Sequence, residues 1–243
     1  MLSIIKTMSL HGLEGYLIEV QVDISSGLPE WIIVGLPDVS VKEAKERVKT
    51  AIKNSGYEFK SKKIIVNLAP ANTKKEGSLF DLPIAIGILT NFGEIKNQNL
   101  EKTVFIGELS LDGKLNKAKG ILPMCIEAKK MGIERIILPE ENAKEAAIVK
   151  ELEVIGVRTL EQVVKLLNEK ITIKRTETNI EELWKKEQIY NVDFAEVKGQ
   201  ENVKRAVEVS AARWSWTDFY RKSRMWQNND CTKNTNNTSR FNI

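Results

Sequence analysis

The apolar residues of this chain follow two periods, one typical of strands and one typical of helices. Ile18, Val20, Val22 and Ile24 alternate with polar residues, which predicts a strand with one face in water. Elsewhere the apolar residues form short continuous runs, typical of buried strands, or recur every three to four positions, typical of helices. These patterns predict strands at residues 31–34, 63–68, 104–107, 135–138 and 154–157, and helices at 40–55, 80–92, 121–131, 142–150 and 159–168.

The order of these elements predicts the fold class. Strands alternate with helices along most of the chain, which indicates an α/β protein in which helices cover a sheet. The pair Asp112-Gly113 between short apolar runs predicts a hairpin turn. The most apolar strand and helix positions are expected to form the core of a domain over residues 1–168, and they are Ile64, Val66, Ile84, Ile88, Ile106, Ile126, Ile136 and Leu138.

Several polar residues have a local structural interpretation. Ser40 and Glu43 fit a capping box at the start of the first helix. Asp81, at the start of the second, is expected to complement that helix's dipole. The stretch from Lys74 to Ser78 is a possible phosphate or substrate loop, but a solvated turn is the favoured interpretation.

The charge of the chain resides in its last residues. Residues 1–212 contain 31 lysines and arginines against 31 aspartates and glutamates, so this part is neutral and gives no evidence of a nucleic-acid surface. Two cysteines, Cys125 and Cys231, cannot make a disulfide framework. The chain shows neither a signal segment nor an apolar run of membrane-spanning length, so we expect a soluble cytoplasmic protein.

From Arg213 onward the sequence loses the composition of a folded protein. Residues 213–243 contain no Gly, Ala, Val or Leu, yet they contain three of the five tryptophans and a net charge of +4. Such a segment cannot bury enough apolar surface to offset its ordering entropy, so we expect it to be disordered.

The same residues are consistent with a shifted reading frame. One consistent choice of allowed codons for Arg213 onward, read one base out of register, gives G-G-H-G-L-I-F-I-G-N-P-G-C-G-K-T. This contains G-x-x-x-x-G-K-[ST], the phosphate-binding P-loop, after a strand-like apolar run. The sequence therefore predicts four regions: a domain over residues 1–168, a polar linker over 169–192, the first helix of an ATPase domain over 193–212, and an out-of-frame tail over 213–243.

Three motif blocks carry a family resemblance. The first joins Gly12-Leu13-Glu14-Gly15-Tyr16 to Ile33-Val34-Gly35-Leu36-Pro37-Asp38, the second runs from Asn67-Leu68-Ala69-Pro70 to Lys75-Glu76-Gly77-Ser78 and Phe80-Asp81-Leu82-Pro83, and the third joins Phe105-Ile106-Gly107-Glu108-Leu109-Ser110-Leu111-Asp112-Gly113 to Ile137-Leu138-Pro139-Glu140-Glu141-Asn142. Together they resemble the amino-terminal domain of the magnesium-chelatase-like AAA+ ATPases of the YifB/ComM family. The run from Phe194 to Glu201 is similar to that family's entry into its ATPase domain.

The resemblance implies a fold and an activity. It implies a βαβ-rich domain similar to the proteolytic domain of Lon, of the ribosomal-protein-like superfamily. It also implies a hexameric motor that uses ATP and Mg²⁺ to promote DNA branch migration during natural transformation. Because the P-loop falls in another frame, we expect no catalytic, cofactor-binding or metal-binding residue in this chain, and no ATPase activity. A stand-alone Lon-like binding domain is the alternative.

The similarity to Lon also suggests an alternative function, that of a Ser–Lys peptidase. Lon's nucleophile run falls on Lys75 to Asp81 and places Leu79 at the nucleophile, with Ser78 one residue early. The run that carries Lon's lysine falls on Lys119 to Met124 and places Leu122 and Met124 where lysines would be. A serine nucleophile needs a positioned base, so this interpretation is disfavoured.

Two single residues have bland interpretations. His11 is the only histidine of the chain and no second metal ligand lies near it in sequence, so a structural role is favoured over metal binding. Cys125 lies on the apolar side of its helix and is expected to act as a small core residue.

Overall fold

The structure, a computed structural model, describes residues 2–12, 14–96, 100–178 and 199–213. The chain divides into two compact units, Met1–Ile180 and Glu181–Ile243. The strands of the first unit are β1 (Leu2–His11), β2 (Glu14–Ser25), β3 (Glu30–Val34), β4 (Lys63–Ala69), β5 (Thr103–Phe105), β6 (Glu108–Leu109), β7 (Leu115–Asn116), β8 (Arg135–Pro139) and β9 (Glu153–Val157). Its helices are α1 (Val39–Asn54), α2 (Asp81–Phe92), α3 (Ile121–Lys130), α4 (Glu140–Ala146) and α5 (Leu160–Leu167).

Seven strands form one mixed sheet in the order β3-β4-β2-β1-β5-β8-β9. β2 is antiparallel to both β1 and β4, whereas β3 is parallel to β4 and the strands from β1 through β5 and β8 to β9 are parallel. The α/β fold class is confirmed. β6 and β7 form the predicted hairpin, in which the Ser110 amide donates to the Lys114 carbonyl at 2.9 Å.

The sequence pattern missed β1, although it pairs with β2 along its whole length. Apolar Ile5 and polar Ser3, Thr7 and Ser9 all point to the same face of the sheet and are all buried. Polar residues at the buried positions remove the contrast that makes a half-buried strand recognisable. β2 was predicted because its buried positions Ile18, Val20 and Val22 are all apolar.

The core consists of two apolar clusters on opposite faces of the sheet. Phe105, Ile137 and Ile155 point to the cluster that contains α1, α2 and α5. Their neighbours along the same strands point to the cluster that contains α3 and α4, since successive side chains of a strand alternate between faces. Of the predicted core positions, Ile64, Val66, Ile84, Ile88, Ile106, Ile136 and Leu138 are confirmed as buried.

The prediction for Ile126 was wrong, since this side chain is 41% exposed. α3 buries Ile121, Met124, Cys125 and Ala128, which are spaced as one helical face. Ile126 lies two residues from Met124 and therefore on the other side of the helix.

The capping box at Ser40 was also wrong. The N-cap of α1 is Asp38, whose carboxylate accepts a hydrogen bond from the Val41 amide at 2.8 Å. The Ser40 hydroxyl is buried and has no hydrogen-bond partner among the described residues. Because Asp38 has the extended backbone and acceptor oxygen of a cap, α1 begins at Val39.

The chain stays attached to the first unit as far as Thr178. The Thr176 amide donates to the Val154 carbonyl of the edge strand β9 at 2.8 Å, and the Thr178 hydroxyl donates to the Lys144 carbonyl at 3.0 Å. Of the predicted linker, residues 179–192 lie outside the described ranges. The second unit is described by helix α6 (Glu201–Arg213), within the region where the ATPase domain's first helix was predicted. The remainder of the predicted tail lies outside the described residues. Within the described ranges, no helix has the length and apolarity to cross a membrane.

Candidate functional site

The three motif blocks, distant in sequence, meet at the amino-terminal end of α2. Backbone hydrogen bonds join the first block to the second, because the Asp38 amide donates to the Lys75 carbonyl at 3.0 Å and the Lys75 amide donates to Leu36 at 3.1 Å. The second block is joined to the third, because the Gly107 amide donates to the Leu79 carbonyl at 3.2 Å. We call this meeting point of residues 35–38, 67–82 and 107–116 the motif junction.

A buried ion pair lies at the centre of the motif junction. Arg47 of α1 donates to both carboxylate oxygens of Asp81, at 2.8 and 3.0 Å, and the Leu109 amide donates to the same carboxylate at 3.2 Å. The side chain of Asp81 is fully buried, whereas that of Arg47 is 22% exposed. The pair therefore ties α1, α2 and β6 together through one carboxylate.

The environment of this pair shifts both titrations. Burial raises the pKa of Asp81 to about 6, and the hydrogen bonds from Arg47 oppose that rise without cancelling it. The hydrogen bond to Asp81 raises the pKa of Arg47 above its usual value, so the guanidinium stays charged. Asp81 lies in the first turn of α2, the position expected for a residue that complements the helix dipole, and the structure adds a specific partner, Arg47.

A second polar chain begins at Ser78. Its hydroxyl donates to one carboxylate oxygen of Glu108, and the other oxygen accepts from the side-chain nitrogen (Nδ2) of Asn116 at 2.8 Å. The Ser110 hydroxyl donates to the side-chain oxygen (Oδ1) of Asn116 at 2.8 Å. The hydrogen bond from Ser78 lowers the pKa of Glu108, which makes the carboxylate a weak proton acceptor.

Lys75 contradicts the expectation of a solvated turn. This residue is fully buried, and its ammonium donates to the carbonyl oxygens of Pro70 and Thr73, the latter at 2.8 Å. Burial lowers the pKa of the ammonium. The buried ammonium holds the loop from Ala69 to Phe80 together through hydrogen bonds to carbonyls of the same loop. This segment is therefore an ordered loop with a charged group at its centre. Its neighbours Lys74 and Glu76 do remain exposed, as the sequence suggested.

A cleft of about 590 Å³ opens between this loop and the hairpin of β1 and β2. The two sides of the cleft are linked by one hydrogen bond, in which the Tyr16 hydroxyl of β2 donates to the Lys74 carbonyl of the loop at 3.3 Å. The cleft is lined by Ser9, Leu10, His11, Gly12, Tyr16, Asn72, Thr73, Lys74, Glu76 and Leu79. His11, interpreted from sequence as a structural residue, thus lies at the rim of a cavity.

The peptidase positions are apolar in space as well as in sequence. Leu79, at the place of the nucleophile, packs against the cluster that contains the buried Met124. Leu122 is half-buried, and its backbone amide donates to Glu145 at 3.3 Å. Among the described residues, the Ser78 hydroxyl donates to Glu108, a carboxylate whose pKa is lowered, and not to a lysine. This differs from the serine–lysine pair that the peptidase interpretation requires.

Cys125 has the role expected of it. It is fully buried, and burial raises the pKa of its thiol to about 12, which keeps it protonated and unreactive. Across the described ranges, no three His, Cys, Asp or Glu residues are placed to share a metal ion.

Sequence reasoning did not single out Arg47, Glu108 or the burial of Lys75. One signal was available for Arg47, since it is the only arginine in a helix whose other basic residues are lysines. A planar guanidinium is suited to a two-pronged bond with a carboxylate, which lysine cannot make. Glu108 and Lys75 had no such signal, because their partners are set by the fold.

Comparison with known proteins identifies the origin of these motifs. The family described as subunit ChlI of Mg-chelatase matches residues 20–142. Competence protein ComM of Haemophilus influenzae is 37% identical over 213 residues, which is 87% of this chain and 42% of ComM. YifB of Escherichia coli is 37% identical over 211 residues, 87% of this chain and 41% of YifB.

A more distant similarity concerns DNA repair. The DNA repair protein RadA of Listeria monocytogenes is 29% identical over 97 residues, which is 40% of this chain and 21% of RadA. The chain spans about two fifths of the length of ComM and YifB. With a family match across half of its length and two relatives at 37% identity, this chain belongs to the magnesium-chelatase-like YifB/ComM family.

Proposed function

We propose that this chain carries the amino-terminal part of an ATP-dependent motor that acts on DNA by promoting branch migration. The observation that carries the proposal is the 37% identity to Competence protein ComM over 213 residues. The similarity to a DNA repair protein, RadA, supports the same substrate class. Its motor would be a homo-hexamer, as the resemblance to the family implies.

The described domain would serve this motor by binding rather than by chemistry. Its motif residues are engaged with one another: Arg47 with Asp81, Ser78 with Glu108, and Asp38 with the amides of Val41 and Gly77. Such contacts hold three loops at one end of α2 in a fixed arrangement. A fixed set of loops is suited to presenting a binding surface.

The chain as printed would neither bind nor hydrolyse ATP. Its sequence contains no G-x-x-x-x-G-K-[ST] run, whose backbone and lysine hold the phosphates of ATP. One allowed choice of codons, read one base out of register after Ala212, would supply the motif. ATP and Mg²⁺ would therefore belong to a product read in that frame.

A frame-restored protein tests the motor. We expect a fluorescent ATP analogue to bind the protein continued in the shifted frame, but not the printed chain, and only the former to move a branched DNA junction. Replacing the lysine of the restored G-K-T by alanine is the matched control and should abolish both signals. A restored protein that binds ATP yet leaves the junction unmoved would argue against DNA as its substrate.

Peptide hydrolysis separates this proposal from a Lon-like peptidase. We expect the purified chain to leave casein and fluorogenic peptides intact, because Leu79, Leu122 and Met124 stand at the catalytic positions. Hydrolysis that disappears in Ser78→Ala but persists in Ser61→Ala, an exposed serine outside the motif junction, would establish the peptidase instead.

A further inference from the structure

The cleft between the β1–β2 hairpin and the 69–80 loop is rich in hydrogen-bond donors. Ser9, Asn72 and Lys74 are among its lining residues, together with Tyr16 and Thr73, whose hydroxyls donate to the carbonyls of Lys74 and Pro70. Among the described residues that line it Glu76 is the one carboxylate, and the Lys74 ammonium lies 2.7 Å from it. An anion entering the cleft would take the place of Glu76 on that ammonium.

A buried positive charge lies directly behind the cleft wall. The Lys75 ammonium is 2.8 Å from the carbonyl oxygen of Thr73, which is itself a lining residue. Among the described residues, this ammonium donates to carbonyl oxygens and not to a carboxylate. Burial lowers its pKa. A charge placed in such a low-dielectric position acts over a longer range than one in water.

Burying a lysine without a carboxylate partner is costly, and folded proteins rarely do so. The cost is understandable where the charge serves a ligand. Here the two residues that flank Lys75 line the cleft, so the loop places the exposed Lys74 ammonium at the cavity and keeps the Lys75 ammonium buried behind the cavity wall.

We propose that this cleft binds a phosphate group, either in the backbone of a nucleic-acid strand or on a free nucleotide. Its volume of about 590 Å³ lies within the range of small-ligand sites and is sufficient for one nucleotide unit. The inference deepens the proposed function, on which it rests for the choice of nucleic acid as one source of the phosphate.

The single histidine of the chain provides a direct probe. His11 lines the cleft and is the one histidine of the sequence, so its imidazole ring protons report on this cavity. We expect proton NMR of the full chain to show a saturable shift of the His11 signals when a short oligo-dT strand is added. The basic tail contains no histidine, and the same titration of a chain that ends at Arg213 should give the same shift.

Variants identify the groups responsible. Lys74→Glu should weaken the oligo-dT affinity read from the His11 signal about tenfold, Lys75→Met should weaken it comparably, and Glu76→Gln should strengthen it severalfold. Lys42→Glu, an exposed lysine on α1, is the matched control and should change nothing. Because Lys75→Met could disturb the loop, Lys74→Glu and Glu76→Gln, both at exposed positions, carry the test if it fails to fold.

The ligand series distinguishes the sources. Saturation by inorganic phosphate or a mononucleotide at concentrations similar to oligo-dT indicates a free nucleotide, whereas tighter binding of the strand indicates nucleic acid. A His11 signal that no phosphate compound moves, or equal affinities for Lys74→Glu and Lys42→Glu, would overturn the site. These NMR outcomes do not depend on ATP binding or on junction movement by the frame-restored protein. The phosphate-site proposal and the motor proposal can therefore fail independently of one another.

Discussion

The two halves of the main sheet differ in how many of their faces are covered. In the half formed by β5, β8 and β9, apolar side chains pack on both faces, against α5 on one side and α4 on the other. In the half formed by β1 to β4, α1 and α2 cover one face, whereas α3 covers only part of the opposite face, along β1 and β2. On the rest of that face Leu2, Ile4 and Val34 remain 57%, 48% and 42% exposed.

This difference shows which interactions each half uses to keep its shape. The covered half is ordered by apolar packing on both sides of short parallel strands. In the half-open part, polar contacts fix the loops: the Arg47–Asp81 pair, the cap at Asp38 and the buried Lys75. Residues 35–38 and 67–82 of the motif junction belong to this part, where packing alone would leave loops with several possible arrangements.

The largest expected effect tests the apolar half directly. Ile136→Ala removes a fully buried side chain between strands and helices and should lower the free energy of unfolding by about 2–5 kcal/mol. Ile4→Ala, on the open face, should cost about 0.5 kcal/mol or less. Urea denaturation measures both. Equal losses would mean that the open face is covered in solution.

A polar contact of the half-open part should matter almost as much. Arg47→Met leaves the buried carboxylate of Asp81 without its counter-ion and should destabilise the fold by about 3 kcal/mol at pH 7.5. Arg158→Met removes an exposed pair with Glu140 and should leave the free energy of unfolding almost unchanged. If the two substitutions cost the same in denaturation experiments, the buried pair does not hold the motif junction.

The pH dependence follows from the raised pKa of Asp81. Because its folded value of about 6 exceeds the unfolded value near 3.8, the folded state binds the extra proton between these pH values. The resulting stability is present below about pH 4 and is lost as pH rises through 6, by roughly 2–3 kcal/mol in all. Thermal unfolding of the protein from pH 4 to 8 should show this loss relative to Asp81→Asn. Parallel profiles for the two proteins would contradict it.

A backbone contact in the half-open part should have a somewhat smaller effect. Gly35 has φ +98° and approaches Leu68 so closely that an added Cβ would lie 2.9 Å from its carbonyl carbon. Gly35→Ala should therefore cost about 2 kcal/mol or more, since backbone strain and a clash combine. Gly77 has φ +87°, but an added Cβ would meet open space. Gly77→Ala should therefore lower the free energy of unfolding only through backbone strain, by about 1–2 kcal/mol. Equal midpoints in urea would show that β3 can move away from β4.

The smallest expected effect concerns residues 214–243. Deleting residues 214–243 should leave the thermal midpoint unchanged and improve solubility, because this segment has almost no aliphatic side chains to bury. Differential scanning calorimetry of the two proteins measures this. A truncated protein that unfolds many degrees earlier would show that the segment packs, and would exclude the shifted-frame interpretation.

Local pattern was sufficient for much of the fold and for little of the site. β2 and β4 were predicted because their buried positions are apolar, and α2 because its buried positions after Asp81 carry no polar side chain. Seven of the eight named core residues are buried. β1 was missed because serine and threonine occupy its buried face. The motif blocks were recognised in sequence, but their meeting at one end of α2 was not foreseen.

The sequence by itself determined the α/β class, the family and the change of character after Ala212, because these depend on composition, on period and on residues close to one another in the chain. Only the tertiary structure decided that Arg47 binds Asp81, 34 positions away, and that Lys75 is buried while its neighbours are not. No local period encodes such partners. They are set when β3, β4 and the hairpin of β6 and β7 come together. A buried charged side chain then forms hydrogen bonds with whichever donors or acceptors the fold places around it.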